Sequence, residues 1–507
     1  MVARIGAGYH AAMKRAWSLG IGFGLLLTGI APACGGDDDS GSPAGGGSGG
    51  VAGDAQAGGG AAGSAGSAGG AGAGGSAGKS GVQSALEAQG FQVQKGSFRV
   101  LDLSDCCAAG KSCSGNNPTS PYGAFHVPRA PGQTVANPNE GSDGLAASYR
   151  LRGDEAVIWV GTTPPVAKYF GLTPYLMDRE DAPGVRKPIF ASLSETLNQL
   201  VLQAGSAPDP FEAPVAVIAT ADQGTESEAK KALVAGGVPA GAINTLTFDP
   251  ALVKLGVDDA ADTVGVLFRV ALFDDATQGK AYLNAIPGEL WRATPKAQKT
   301  PAPLPSPSAR PKNTTDTEAA LASALDALEA AVIAKHPGLT SKTLFVSKGT
   351  PDPLACIQGK AFCAGDNRDT NYPTTLPQPL FSSPDDFFVV IGVNHALTGK
   401  TSYSNFSVYA VEHLVGVASV DNLKYAGSAA AFLPSHPDAS KLYAWKVARS
   451  CAGDPQCLAI PDAGCPNGVG AGKSGTITFR TYLEPKTKTA PDPSTLVLDR
   501  VIRFTKP

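Results

Sequence analysis

A histidine, a lysine and a tyrosine stand close together after a predicted strand. His395, Lys400 and Tyr403 follow the apolar run of residues 386–392, which ends in glycine. Polar side chains beyond the end of a strand often build a site. His395 would act there as a general base, and Lys400 and Tyr403 would stabilise developing charge. This pattern is compatible with a hydrolase or transferase site, and the alternative is a hydrogen-bonded loop with a satisfied histidine.

The sequence offers little for metal or cofactor chemistry. Five histidines follow residue 34, and none has H-x-x-x-H or H-E-x-x-H spacing: His126, His336, His395, His413 and His436. Residues 366–371 carry the oxygen ligands that calcium prefers, but Arg368 interrupts them and no glutamate closes the loop. We therefore predict a solvated turn at this segment, and we expect neither a metal nor a cofactor in the protein.

Eight of the nine cysteines lie in the body of the chain, in three groups: Cys106, Cys107 and Cys113; Cys356 and Cys363; Cys451, Cys457 and Cys465. No C-x-x-C spacing occurs and no histidine stands at ligand spacing beside a group, so disulfides are favoured over zinc. Local pairing predicts the bridges Cys107–Cys113, Cys356–Cys363 and Cys451–Cys457. Cys106 and Cys465 would then join each other across the fold.

Two stretches repeat one pattern. The first cassette (residues 107–122) and the second cassette (residues 356–372) both follow C-x-x-G-K-x-(x)-C-x-G-[ND]-N-x4-Y. Each is followed by an acid-led apolar run that ends in glycine, and then by a Y-x5-Y pair. Recurrence in fixed order indicates an internal duplication. Because the copies stop matching beyond the second tyrosine, the sequence predicts a shared front module rather than two equal halves.

The apolar, β-branched runs of the first half predict strands, over residues 157–161, 215–220, 243–248 and 264–273. A short helix is predicted over residues 226–235, where two glycines and a proline end it. This order of elements predicts an α+β protein with ferredoxin-like strand-helix-strand layers and a partly duplicated, disulfide-stapled front module.

The second half shows a longer helix and a predicted hairpin. Residues 316–335 are rich in alanine and leucine, with Thr315 as the expected N-cap and His336-Pro-Gly as the stop. Near the end, residues 476–484 and 496–504 are expected to pair as a hairpin. Between the halves, the Pro-rich residues 296–315 predict a linker or strap. The expected domains are therefore residues 81–295 and 316–507.

The N-terminus has the features of an export signal. Basic residues precede a 12-residue apolar run, which is too short to span a membrane, and the segment closes with Ala31-Pro32-Ala33-Cys34. This ending resembles the bacterial lipoprotein signal peptide, although alanine stands where that family prefers leucine. The resemblance implies cleavage after residue 33 and acylation of Cys34. The same residues also fit an ordinary A-x-A cleavage site, which would leave a soluble periplasmic or secreted protein.

Residues 34–80 are almost wholly glycine, alanine and serine after an acidic patch. Such a composition buries too little apolar surface to offset the entropy of ordering, so a disordered tether is predicted. The formal net charge of −3 argues against broad binding to nucleic acid. We therefore expect an extracytoplasmic protein of the cell envelope, held to the outer membrane by its N-terminal lipid. The leading hypothesis is a binding or structural surface lipoprotein with an unidentified protein or glycan partner.

Overall fold

The computed structural model of the chain describes residues 80–507, apart from positions 102, 103, 109, 111, 114, 350, 351, 362, 382 and 384. The predicted signal peptide, Cys34 and nearly all of the predicted tether lie outside the described residues. Residues Ser80–Pro507 belong to one compact unit. Strand content exceeds helix content, at 35% against 16%, and the predicted α+β class is confirmed.

Two sheets form from the N-terminal half (residues 80–295). In its outer sheet the strand order is β1-β11-β4-β8-β9, and in its inner sheet it is β2-β3-β10-β5-β6, with β7 beside β5. The strands are β1 (Phe91–Lys95), β2 (Ser97–Val100), β3 (Tyr122–His126), β4 (Ala156–Thr162), β5 (Ala167–Ala182), β6 (Val185–Ser192), β7 (Leu197–Asn198), β8 (Pro214–Thr220), β9 (Ile243–Thr247), β10 (Thr263–Phe273) and β11 (Gly288–Pro295).

Two further sheets form from the C-terminal half (residues 316–507). Its outer sheet has the order β12-β21-β15-β18-β19, and its inner sheet has the order β13-β20-β16-β17, with β14 beside β20. The strands are β12 (Thr340–Thr343), β13 (Thr370–Asn371), β14 (Gln378–Pro379), β15 (Phe387–Val393), β16 (Tyr403–Ala410), β17 (Val415–Asp421), β18 (Leu442–Ala448), β19 (Cys457–Ala459), β20 (Ser474–Tyr482) and β21 (Arg500–Thr505).

The α-helices of the described residues are short: α1 (Gly81–Ala88), α2 (Ser104–Ala108), α3 (Gln223–Ala235), α4 (Ala276–Asn284), α5 (Ala322–Ala334) and α6 (Pro353–Ile357). Helix α3 begins where the Asp222 side chain accepts a hydrogen bond from the Thr225 amide, and it ends at Gly236. The end agrees with the prediction for residues 226–235, whereas the helix begins three residues earlier than predicted, after this aspartate cap.

Each half is a layered sandwich with helices on its outer sheet. Strand β4 shows the reason: Val157 and Trp159 face the core between the two sheets, whereas Ala156 and Ile158 pack against helices α1 and α3. Alternation along a strand sends successive side chains to opposite faces. Strand β15 and helix α5 repeat this arrangement in the C-terminal half. Each large apolar side chain buried in these layers contributes about 1.5–3 kcal/mol.

The two outer sheets share one topology. In each, the last two strands (β8 and β9, or β18 and β19) are parallel, and the other neighbours are antiparallel. The inner sheets also correspond, because β10-β5-β6 has the same order as β20-β16-β17. The match in strand order therefore extends past the second tyrosine of each copy, where the sequence similarity ends.

Three finer expectations differ from the structure. The predicted hairpin does not form, because β20 pairs with β16 and β21 pairs with β15, in different sheets. Helix α5 starts at Ala322 rather than at residue 316, since the Asn313 side chain caps a separate turn at Thr315 and Asp316. Strands β8 and β9 are direct neighbours, whereas a ferredoxin-like unit has a strand between them, so that finer expectation is not confirmed.

Candidate functional site

His395 lies in the loop after β15 and is buried, with 2% of its surface exposed. Its Nδ1 atom is 2.9 Å from both carboxylate oxygens of Glu318. Its Nε2 atom faces Asp499 Oδ2 at 3.7 Å. The ring is therefore held between two carboxylates, one from the segment before α5 and one from the segment before β21.

Both carboxylates have further partners. Glu318 accepts hydrogen bonds from the Thr398 hydroxyl at 2.6 Å and from the Val497 amide at 3.0 Å. Asp499 accepts one from the Tyr443 hydroxyl at 2.7 Å. Charge-assisted bonds of this kind fix side chains that would otherwise be expensive to bury.

Electrostatics decide the protonation state of His395. Burial by itself would lower the pKa of His395, but the Glu318 and Asp499 carboxylates outweigh it and raise the pKa to about 10. Burial would raise the pKa of Glu318, but the imidazolium keeps it below its ordinary value. At neutral pH the ring is an imidazolium that has no lone pair for a proton. This arrangement is an ion-pair cluster and not a general base.

Lys400 and Tyr403 have other partners. The Lys400 ammonium contacts the Glu484 carboxylate at 3.1 Å, and both side chains are buried. The Tyr403 hydroxyl shares a hydrogen bond with the Thr119 hydroxyl at 2.8 Å. The structure thus brings each of the three predicted residues to a buried polar contact. It does not bring them together around an open cleft.

Two open grooves are found elsewhere on the described surface. The first groove has a volume of about 590 Å³ and contains no residue of the His395 loop; it is lined by Val100, Leu101, Asn116, Asn117, Pro118, Ser120, Pro121, Tyr122, Leu283, Asn284 and Pro466. The second groove, of about 420 Å³, is lined by Arg179, Ala251, Leu252, Val253, Lys254, Leu354, Ile357 and Gln358. Each groove therefore combines a cassette or its flank with the opposite half.

Each cassette makes buried polar contacts with the opposite half. Asp366 of the second cassette accepts hydrogen bonds from the Ser192 amide at 2.8 Å and from the Ser192 hydroxyl at 2.6 Å. The Tyr175 hydroxyl donates to the carbonyl of Asp366. Burial raises the pKa of Asp366. The predicted solvated turn is therefore wrong, since its carboxylates are buried in the N-terminal half.

The first cassette repeats this geometry in the C-terminal half. Asn116 Oδ1 accepts a hydrogen bond from the Gly416 amide at 2.9 Å, and the Tyr409 hydroxyl donates to the Asn116 carbonyl at 2.7 Å. Gly416 is opposite Tyr409 across β16 and β17, as Ser192 is opposite Tyr175 across β5 and β6. The two cassettes are thus exchanged between equivalent binding positions, which we call seats. The first cassette occupies the first seat, beside β16 and β17, and the second cassette occupies the second seat, beside β5 and β6.

Two buried arginines also bind the exchanged cassettes. Arg269 donates to the Gly365 carbonyl of the second cassette, and Arg480 donates to the Gly115 carbonyl of the first, both at 3.2 Å. The Arg269 guanidinium lies 5.0 Å from the ring of Tyr122, and that of Arg480 lies 5.5 Å from Tyr372. Cation–π contacts of this kind stabilise a buried guanidinium. Sequence reasoning missed both arginines, although they stand on matching strands.

Disulfides are present, as predicted, and two of the four expected pairs are confirmed: Cys356–Cys363 and Cys451–Cys457. The other two predicted pairs are wrong, because Cys106 bonds to Cys113 and Cys107 bonds to Cys465. The reason is the repeat itself. Cys106–Cys113 has a sequence separation of 7, as Cys356–Cys363 has, so the equivalent cysteine is Cys106 and not Cys107.

Comparison with known proteins adds little. Neither a protein-family model nor a curated protein matches the chain. The chain is similar to the crystal structure of an uncharacterized protein from Burkholderia cenocepacia, with 15% identity and a TM-score of 0.37, over 84% of this chain and 86% of that chain. Among the described residues, no helix has the length and apolar character that a membrane crossing requires.

Proposed function

We propose that the protein is exported, anchored to the cell envelope through a lipid on Cys34, and acts there as a binding or structural protein and not as an enzyme. The disulfide pattern is the observation that carries the export part. All eight cysteines of the body are paired, with no thiol left over, and the remaining cysteine is Cys34. Stable disulfides are typical of oxidising compartments.

The outer membrane is the proposed location, with the Gly/Ala/Ser-rich segment as the tether. A flexible chain of some 45 residues spans roughly 35–40 Å in root-mean-square terms. That reach would hold the body clear of a membrane surface while leaving it free to turn. Nothing in the charge of the chain favours nucleic acid as a partner.

The anchor is tested by growing cells that express the full chain with a fatty acid carrying an alkyne. The wild-type protein should take up the label and stay with the membranes, and Cys34→Ser should lose both properties. Cys457→Ser is the control, since it removes a cysteine of the body, which is bonded to Cys451, and should keep the label. An unlabelled wild type would leave the soluble periplasmic or secreted alternative, and a labelled Cys34→Ser protein would show that acylation is not at Cys34.

The burial of His395 supports a non-enzymatic role over the alternative of a hydrolase or transferase around that residue. A base needs an accessible lone pair, and this imidazole is charged and enclosed by two carboxylates. The first groove is the better contact surface for a protein or glycan partner. It is lined by the apolar side chains of Val100, Leu101 and Leu283 beside the exposed Asn284.

Peptide and glycan arrays probed with the detergent-purified full chain test the groove. Leu283→Asp places a charge in the first groove and should abolish any specific signal. Leu397→Asp is the control, because Leu397 is 58% exposed on a loop outside both grooves. Signals that survive Leu283→Asp would place the binding surface elsewhere. An array without signals, together with normal folding of both variants, would favour a purely structural role.

We also infer that the two halves arose by duplication. The equal strand order of the halves and the exchanged cassettes support this inference. Each half therefore holds a cassette that the other half contributes.

A further inference from the structure

Four cysteines meet where the first cassette contacts the C-terminal half. Cys106 is bonded to Cys113, and Cys107 is bonded to Cys465 over a sequence separation of 358. The Sγ atoms of Cys107 and Cys113 are only 3.8 Å apart, although they belong to different disulfides. The sulfur atoms of Cys106, Cys107 and Cys113 all lie within 4.8 Å of one another.

No other disulfide of the described residues has a third cysteine sulfur in such a group. The bridge Cys451–Cys457 and the bridge Cys356–Cys363 each stand alone. Two adjacent disulfides in which sulfurs of different pairs nearly touch can exchange partners, because a thiolate attacks a neighbouring disulfide through a mixed disulfide. Two of the four bridges, Cys106–Cys113 and Cys107–Cys465, therefore differ from the others because they lie next to each other.

We propose that Cys106, Cys107, Cys113 and Cys465 form a thiol–disulfide exchange site, at which an external dithiol releases the first cassette from the loop of residues 461–470. The reaction needs an external reductant. A dithiol gives up two electrons and two protons, becomes a disulfide, and converts Cys107–Cys465 into two thiols. The inference goes beyond the proposed function and does not depend on it.

The second step needs no further electrons. The Cys107 thiolate, freed from Cys465 and able to rotate, attacks Cys113 Sγ. A Cys107–Cys113 bond forms, the Cys106–Cys113 bond breaks, and Cys106 leaves as the thiolate, which takes up a proton from water. Exchange onto Cys113 then removes Cys107 from reaction with Cys465. The link between the first cassette and the C-terminal half therefore stays open until an oxidant restores it.

The long-range bridge is the more accessible of the two. Cys107 and Cys465 are both half-buried, whereas the neighbouring bridge joins the half-buried Cys106 to the buried Cys113. Residues 461–464 beside Cys465 are exposed. Pro466, the next residue after Cys465, lines the first groove together with Asn116 and Tyr122 of the first cassette. Opening the bridge therefore loosens one wall of that groove and couples its shape to the redox state.

The test compares two variants that each leave one thiol. Cys465→Ser leaves Cys107 without its partner, and Cys457→Ser leaves Cys451 without its partner. Each full-length variant is incubated near the thiol pKa of about 8.5, alkylated with iodoacetamide, and mapped by mass spectrometry with fragmentation between residues 106 and 107. The exchange site predicts comparable alkylation of Cys106 and Cys107 in Cys465→Ser, and alkylation of Cys451 alone in Cys457→Ser.

Alkylation of Cys107 alone in Cys465→Ser would overturn the proposal. A variant that does not fold is replaced by the wild type with a limiting amount of dithiothreitol. There the proposal predicts a species that is alkylated at Cys106 and Cys465 and linked between Cys107 and Cys113. A reduced species with Cys106–Cys113 intact, and with alkylation only at Cys107 and Cys465, would show that no exchange takes place.

Discussion

The two cassettes occupy equivalent seats but are held there by different chemistry. Residues 113–122 have their counterparts 250 positions later in the chain. Asn116 and Thr119 of the first cassette correspond to Asp366 and Asp369 of the second. The first cassette is neutral at these two positions, and the disulfide from Cys107 to Cys465 joins it to the other half. The second cassette is acidic there, and Ile357 stands where the first has Cys107.

The difference changes what each seat depends on. Ile357 packs into the core of the N-terminal half, so an apolar contact replaces the covalent bond of the first seat. Asp369 instead accepts hydrogen bonds from Asn198 and from the Tyr169 hydroxyl, with Arg310 at 3.6 Å. The same backbone geometry is therefore stabilised by a redox-sensitive disulfide in the first seat and by a pH-sensitive carboxylate in the second seat.

The largest expected effect comes from removing the bridge of the first seat. Cys107→Ser combined with Cys465→Ser should lower the free energy of unfolding by about 4 kcal/mol, because the bridge closes a very long loop in the unfolded chain. Urea unfolding of the purified protein measures the change. Cys356→Ser with Cys363→Ser is the control and should cost less, since its loop is short. Equal losses in the two double variants would contradict the special role of the long bridge.

The strands could be predicted where packing leaves a simple pattern. Strands β4, β8, β9 and β10 lie within one or two residues of the expected ranges, because apolar β-branched runs are buried on both faces. Pairing was not predictable in the same way. Strands β20 and β21 are neighbours in the chain, yet each belongs to a different sheet, and only long-range packing decides that choice.

The candidate site shows the same limit. The sequence correctly placed His395 after a strand. Its partners Glu318 and Asp499 are some 80 and 100 positions away in the chain, and no sequence motif identifies them. The exchange of the cassettes could not be predicted either, because its contacts also join residues that are far apart in the chain. One signal could have indicated the correct bridge: an ungapped alignment at 250 positions matches Cys106 with Cys356 and Cys113 with Cys363. A gapped alignment favoured Cys107 instead.

A smaller expected effect distinguishes the two seats by the pH dependence of the unfolding free energy. Burial raises the pKa of Asp369 to about 7, against the opposing charge of Arg310. The folded state keeps this proton up to about pH 7, whereas the unfolded state loses it near 3.8. Raising the pH from 4 to 7 therefore removes stability, on the order of 3 kcal/mol from this residue. Unfolding free energies measured across this range should fall in the wild type and change less in Asp369→Asn.

Thr119→Val is the matched control for that prediction, because Thr119 is the counterpart of Asp369 and does not ionise. This variant loses the hydrogen bond to Tyr403 and about 1 kcal/mol of stability. Its pH dependence should nevertheless run parallel to that of the wild type. If Asp369→Asn keeps the full wild-type slope, a group other than Asp369 is responsible for it.

The last prediction tests whether the side chains of one seat are tolerated in the other. Asn116→Asp gives the first cassette the carboxylate of the second, but the Asn116 amide donates to the Gly416 carbonyl at 3.4 Å, and a carboxylate oxygen would face that acceptor. The loss should be about 2 kcal/mol at neutral pH, and it should shrink in acid as the carboxyl takes up a proton. Asp366→Asn is its counterpart and should be tolerated, because the Ser192 hydroxyl that now donates can accept instead. Comparable losses in the two variants, measured by urea unfolding, would show that the seats are chemically alike and that charge does not distinguish them.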